Sequence, residues 1–295
     1  MIALFGPTGV GKTEVAIALA ELLRARGEDP IAVSADAIAV YEGLDVLAAK
    51  PASERLEHRL LSCVPIDEEF SAGRFAALAH AEIDDLLARG RTPIVVGGTG
   101  LYLRAALTEL DLRPPPPRDL REGLERELAQ VGPDALHGRL SPATAATVHP
   151  HDRKRIVRAL ELELGGTPPH PASEQLWSEE LRRPAALFGL VMDREALAAR
   201  IESRAGEMLA GGAVEEVERA LERGASRTAR KALGFEEIAA HLAGEASLED
   251  VRERIERGHR AYVRRQLTWM RKLSGVEIID RTALSAREVA ERILA

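Results

Sequence analysis

Residues Gly6-Pro7-Thr8-Gly9-Val10-Gly11-Lys12-Thr13 carry the spacing G-x-x-x-x-G-K-[ST]. Glycines at these positions let backbone N–H groups turn inward around an anion. A lysine then adds charge against phosphate oxygens, and the Thr13 hydroxyl is a ligand suited to magnesium. The loop implies a polyphosphate and leaves its identity open. A second candidate is Asp36, which follows the apolar run Ile31-Ala32-Val33-Ser34-Ala35. A carboxylate there suits a base that takes a proton from an acceptor, an outer ligand of magnesium, or a cap on its own turn. A nucleotide hydrolase needs an apolar strand ending in an acid, but Pro93–Val96 runs into Gly97-Gly98-Thr99-Gly100.

These residues need a scaffold. Ile2–Phe5 reads as a buried strand and Lys12–Arg26 as a helix, with apolar residues at helical spacing and a stop at Gly27. Pro30–Ser34 and Pro93–Val96 read as further strands, and Ser71 caps a helix that runs to about Arg89. Strands alternating with helices imply a parallel sheet with its ligand at the carboxyl ends. Arg113–Arg118 contains four consecutive prolines, a stiff connector. From Asp119 to about Gly166 the pattern is helical, and a loose stretch, Gly165–Pro171, ends it. Ala185–Met192 reads as a strand returning to the sheet. Long helical segments over 195–223 and 248–273, a strand at Val276–Asp280 and a helix at Ser285–Leu294 follow. The expected architecture is α/β: a P-loop NTPase-like core, parallel sheet flanked by helices, over 1–112 and 186–295, with an all-helical insertion at 113–185.

The 295 residues are 45% hydrophobic and 29% charged, enough for a full core, which excludes a disordered chain. The lone cysteine, Cys63, rules out an internal disulfide, and its apolar neighbours predict a small buried residue. No apolar stretch approaches the roughly 18 residues of a membrane span, and no leader precedes the first strand; a soluble, cytoplasmic protein is expected. Net charge is −7, yet Lys154-Arg155 with Arg158, Arg227 with Arg230-Lys231, Arg264-Arg265 and Arg271-Lys272 form local basic clusters. Together they favour a nucleic-acid stripe over scattered solvated faces. Trp269 is expected to pack in the core.

The stretch Ser34–Pro51, SADAIAVYEGLDVLAAKP, resembles the tRNA dimethylallyltransferase (tRNA isopentenyltransferase) family. That family has Ser-x-Asp-Ser, then Gln-Val-Tyr, then Asp-Ile-Gly-Thr-Ala-Lys-Pro. The resemblance continues through HRLLSCVPIDEEFSAGRF (His58–Phe75), VGGTGLYL (Val96–Leu103), HPHDRKRIVRALE (His149–Glu161), LGFEE (Leu233–Glu237) and YVRRQLTWMR (Tyr262–Arg271). It covers nearly the whole chain in order.

The resemblance implies transfer of a dimethylallyl group from dimethylallyl diphosphate to the exocyclic amine of the adenine beside the anticodon, releasing diphosphate. Gly6–Thr13 and Arg104 would hold the diphosphate, with Mg2+ on Thr13. Asp36, Thr99 and Lys12 would be catalytic. Asp36, Ala37, Ile38, Ala39, Thr99, Lys154, Arg155, Arg158 and Arg264 would meet the tRNA, whose adenine must leave its stack. A monomer without an obligate protein partner is expected.

Some positions depart from the family pattern. Ala37 stands for the Ser after the Asp, Ala39 for the Gln, Leu47-Ala48 for Gly-Thr, and His259 for a Thr. The donor half is thus expected intact and the acceptor half altered. Rival readings are a small-molecule P-loop kinase acting with ATP, a tRNA-binding member with weakened catalysis, and prenylation of free adenine nucleotides.

Overall fold

The structure, a computed structural model, describes residues 1–52, 54–113, 117–166 and 174–295. The chain divides into two compact units: Met1–Leu110 with Glu179–Ala295, and Asp111–Ser178. The proline run at 114–116 and most of the loose stretch at 165–171 lie outside the described residues.

The first unit begins with β1 (Ile2–Phe5), α1 (Lys12–Ala25), β2 (Pro30–Ser34), β3 (His58–Arg59), α2 (Ala72–Ala88), β4 (Thr92–Gly97) and α3 (Gly100–Leu107). The second unit holds α4 (Arg118–His137), α5 (Pro142–Ala145), α6 (Arg153–Leu164) and α7 (Glu174–Trp177). The first unit then resumes with β5 (Ala186–Val191), α8 (Arg194–Ala210), α9 (Ala213–Glu222), α10 (Phe235–Leu242), α11 (Leu248–Lys272), β6 (Val276–Asp280) and α12 (Ala286–Ile293).

The sheet order is β3-β2-β4-β1-β5-β6, and every pairing is parallel. This is the expected α/β core with helices on the sheet. Leu4, Ile94, Phe188, Leu190 and Ile279 of the strands pack with Leu19 of α1 and Val289 of α12. Parallel strands buried on both faces explain the apolar runs. The loops after β1, β2 and β4 leave the carboxyl edge side by side, which is where ligands meet such sheets. In the second unit Leu124, Leu128, Leu136, Ile156 and Leu160 make a separate core, and α4 kinks at Gly132, just before Pro133. No helix among the described residues is long and apolar enough to cross a membrane.

The sequence reading misses the two-residue strand β3, which has too few residues to show alternation. Residues 195–223, read as one helical segment, form α8 and α9. Gly212, at φ 92°, starts the second helix in a left-handed conformation that breaks the first. Cys63, expected to be buried, is exposed. Its apolar run is a loop in which Leu60 and Ser62 take φ of 60° and 48°, so Val64 turns in and the thiol turns out.

Candidate active site

Gly9 and Gly11 take φ of 85° and 81°, and α1 begins at Lys12. The loop therefore wraps the amino end of the helix, where the dipole favours an anion. Lys12 Nζ donates to the carbonyls of Gly6 and Pro7, both at 2.9 Å. Burial pulls Lys12 down to about 8, against the opposing charge of Asp36 and with added repulsion from Arg204. Lys12, Thr13 and Asp36 line one cavity of about 290 Å³, together with Arg200 and Arg204.

Asp36 ends the loop after β2. Its Oδ1 accepts the N–H groups of Ile38 at 2.8 Å and Ala39 at 3.2 Å. The side chain thus caps its own turn, as a strand-end aspartate does, and still faces the cavity. Both bonds fall on Oδ1, which leaves Oδ2 to meet an acceptor. Thr99 lies beside it: its Oγ1 is 3.5 Å from the Ala37 N–H and 3.1 Å from the Tyr262 hydroxyl. Burial and the Asp36 charge push Tyr262 up to about 12, so its hydroxyl stays protonated.

The glycines after β4 permit close approaches. A Cβ on Gly97 would lie 2.2 Å from the Ala35 carbonyl, one on Gly98 2.4 Å from Gln266 Nε2, and one on Gly100 2.5 Å from the Trp269 ring. Trp269 accordingly packs, half-buried, on the start of α3. Buried Gln266 donates from Nε2 to the Gly98 carbonyl at 2.8 Å and accepts the Thr8 N–H at 3.0 Å.

Several of these residues escape sequence reasoning. Arg200 and Arg204 sit one turn apart on α8, and both line the cavity. Arg200 donates to the Gly9 carbonyl at 3.2 Å. Burial lowers Arg204, Asp36 partly restores it, and its Nε has no hydrogen-bond partner among the described residues. An arginine pair at i and i+4 after the returning strand was the available signal. Gln266 and Tyr262 lay inside the quoted segment YVRRQLTWMR without a role.

Other candidates are placed differently. Arg104 is 1% exposed within α3 and does not line the cavity. Ala37 and Ile38 are half-buried, while Ala39 lines the cavity wall with Ala48. Leu47 is core, its N–H and that of Val46 capped by the buried carboxylate of Glu216 at 2.9 and 2.8 Å. His259 is buried with Nδ1 on the Ile255 carbonyl at 3.0 Å, and burial lowers its basicity. Arg264 is exposed on α11.

In the second unit Lys154 and Arg155 are exposed on the first turn of α6. Arg158 instead bonds to buried Glu161 at 3.2 Å and to the Arg113 carbonyl at 3.0 Å, and Arg121 pairs with the same glutamate. Arg155 and Arg158, grouped in one basic cluster, thus divide into one cation held by Glu161 and one turned to solvent.

Among the described residues no three His, Cys, Asp or Glu side chains group closely enough to hold a metal alone. The Thr13 hydroxyl and Asp36 carboxylate nevertheless supply oxygen donors in one cavity. Magnesium takes such oxygens and completes its shell with phosphate oxygens and water, so the residues fit an ion that arrives with a diphosphate.

The IPP transferase family matches residues 39–273. The tRNA dimethylallyltransferase of Anaeromyxobacter dehalogenans (strain 2CP-C) is 45% identical over 99% of both chains. The crystal structure of the tRNA isopentenylpyrophosphate transferase from Bacillus halodurans superposes with a TM-score of 0.70 at 32% identity, covering 99% of this chain and 95% of that one. A eukaryotic dimethylallyltransferase captured acting on tRNA gives a TM-score of 0.76 at 25% identity, over 100% of this chain and 77% of that one.

Proposed function

The chain belongs to the IPP transferase family, and from that membership we infer its reaction. It transfers a dimethylallyl group from dimethylallyl diphosphate to the exocyclic amine of the adenine beside the anticodon of tRNA. The C–O bond to diphosphate breaks, an N–C bond forms, and the amine loses a proton.

The observation that carries this reading is the convergence of Lys12, Thr13, Asp36 and Arg204 on one cavity. Cations that could meet a leaving anion and a carboxylate that could take a proton thus share one cavity. Lys12 and Arg204 stabilise charge gathering on the departing diphosphate, and Arg200 steadies the loop at Gly9. Asp36 takes the amine proton on Oδ2 while Oδ1 stays tied to its turn. Thr99, with protonated Tyr262 behind it, orients the amine. The Thr13 hydroxyl would hold magnesium, which when bound neutralises diphosphate oxygens.

The exposed cations Lys154, Arg155 and Arg264 suit RNA phosphates. The working unit is taken as the monomer, and its place as the cytoplasm. A kinase reading explains the loop but not Gln266, Tyr262 and Thr99 converging on the end of β4. The Ala39 and Ala48 wall leaves Asp36 and Thr99 in place, which favours a working enzyme over a binder without turnover.

The test is incubation with magnesium, radiolabelled dimethylallyl diphosphate and unmodified tRNA. Label should enter the RNA with release of diphosphate. Label entering only free adenine nucleotides, or ATP-dependent phosphorylation in its place, overturns the reading.

A further inference from the structure

We propose that Arg281 is a positioning residue for the diphosphate cradle, setting the orientation of the Gly11 and Lys12 peptides and neutralising an acid at the cavity wall. The inference rests on reading the loop as a diphosphate site.

Arg281 follows β6, about 270 residues from the loop it touches, and is 4% exposed. Its Nη1 donates to the carbonyl of Val10 at 2.8 Å and that of Gly11 at 2.9 Å. Its Nη2 bonds to Glu14 Oε2 at 3.1 Å. Each trans peptide points its N–H opposite its C=O. The Val10 carbonyl shares a peptide with the Gly11 N–H, and the Gly11 carbonyl shares one with the Lys12 N–H. Anchoring both carbonyls on one guanidinium therefore turns both N–H groups the other way, as an anion requires. The approach is so close that a Cβ on Gly11 would lie 1.9 Å from Nη1. Gly11 is thus required by this contact as well as by its positive φ.

The second part is electrostatic. Glu14 lines the cavity beside Thr13. An unpaired carboxylate there would repel a diphosphate, and Arg281 cancels that charge from the far side of the loop. A residue that only packed the end of β6 would need neither the paired carbonyls nor the acid. Its Nε has no hydrogen-bond partner among the described residues, so the side chain is not placed to satisfy itself.

The experiment is calorimetric titration of inorganic diphosphate with magnesium into the full chain, with KM for donor and for tRNA measured alongside. Wild type should bind, and Arg281→Met should bind about tenfold or more weakly, with donor KM raised and tRNA KM unchanged. Arg281→Lys, which keeps the charge but loses the fork, should fall between them. Glu14→Gln in the Arg281→Met background should recover part of the affinity, and Glu14→Gln alone should bind diphosphate more tightly than wild type. The single Glu14 variant tests the charge argument even if Arg281→Met fails to fold. Equal diphosphate affinity in a folded Arg281→Met, no gain from Glu14→Gln, or a parallel loss of tRNA affinity each overturns the proposal. Absence of diphosphate binding by wild type would instead overturn the reading of the loop.

Discussion

Gln266 Oε1 accepts the backbone N–H of Thr8 at 3.0 Å, across 258 residues of chain. Since Gln266 Nε2 also bonds to the Gly98 carbonyl, one amide ties the glycine loop to the end of β4. Gln266→Leu keeps the volume but leaves the Thr8 N–H without its acceptor and the Gly98 carbonyl with the Tyr262 hydroxyl at 3.3 Å alone. It should cost about 1–3 kcal/mol of stability, read by denaturant titration, and raise the donor KM. Unchanged stability and donor KM would show that the loop holds its shape without the amide.

Lys12 supplies a pH signature. Its ammonium, at about 8 in the folded protein against 10.5 ordinarily, costs most when charged and buried, below pH 8. Between pH 8 and 10.5 the unfolded chain binds more protons than the folded one, so this group's penalty fades and its share of stability rises with pH. Diphosphate favours the charged form. Binding above pH 8 should therefore take up a proton and weaken as pH rises. Calorimetry in two buffers of different ionisation enthalpy measures the uptake, and a binding enthalpy independent of buffer at pH 9 would contradict it.

Asp36→Asn preserves an oxygen for the Ile38 and Ala39 N–H groups but removes the proposed base. Turnover should fall by about 10²–10⁴, while diphosphate binding stays within a few-fold of wild type. Single-turnover rates and calorimetry separate the two effects. Retained turnover would take Asp36 out of the base role.

Arg155 and Arg158 should behave differently although they lie three residues apart. Arg155, 68% exposed and paired with Asp152, is available to phosphate. Arg155→Ala should weaken tRNA binding and reduce the slope of log affinity against log salt by about one. Arg158→Ala removes one partner of buried Glu161 and should lower stability by about 1–3 kcal/mol. Salt titrations and thermal melts of both variants check the contrast. Equal effects in both assays would mean that Glu161 does not hold Arg158.

Legibility followed sequence distance. β1, the glycine loop and α1 were readable because strand, turn and helix are contiguous, and each has its own local pattern. Asp36 was readable from the apolar run before it, and its self-capping from its place at a strand end. Cys63 was not, because two positive-φ residues reverse the facing of an apolar loop. The direction of Arg158 turned on Glu161 one turn later, a contact that spacing permits but does not require.

By itself the sequence determined the glycine loop before a helix, the parallel α/β core and the resemblance that names the reaction class. Each rests on local periodicity or on a motif read along the chain. Only the tertiary structure decided which distant side chains close the site. Arg200 and Arg204, Gln266 and Arg281 come from the second half of the chain and meet a loop in its first thirteen residues. The order β2-β4-β1-β5-β6 stacks the strand ends in space without regard to their separation in sequence. Which cation faces an anion is therefore set by packing, on which local pattern carries no information.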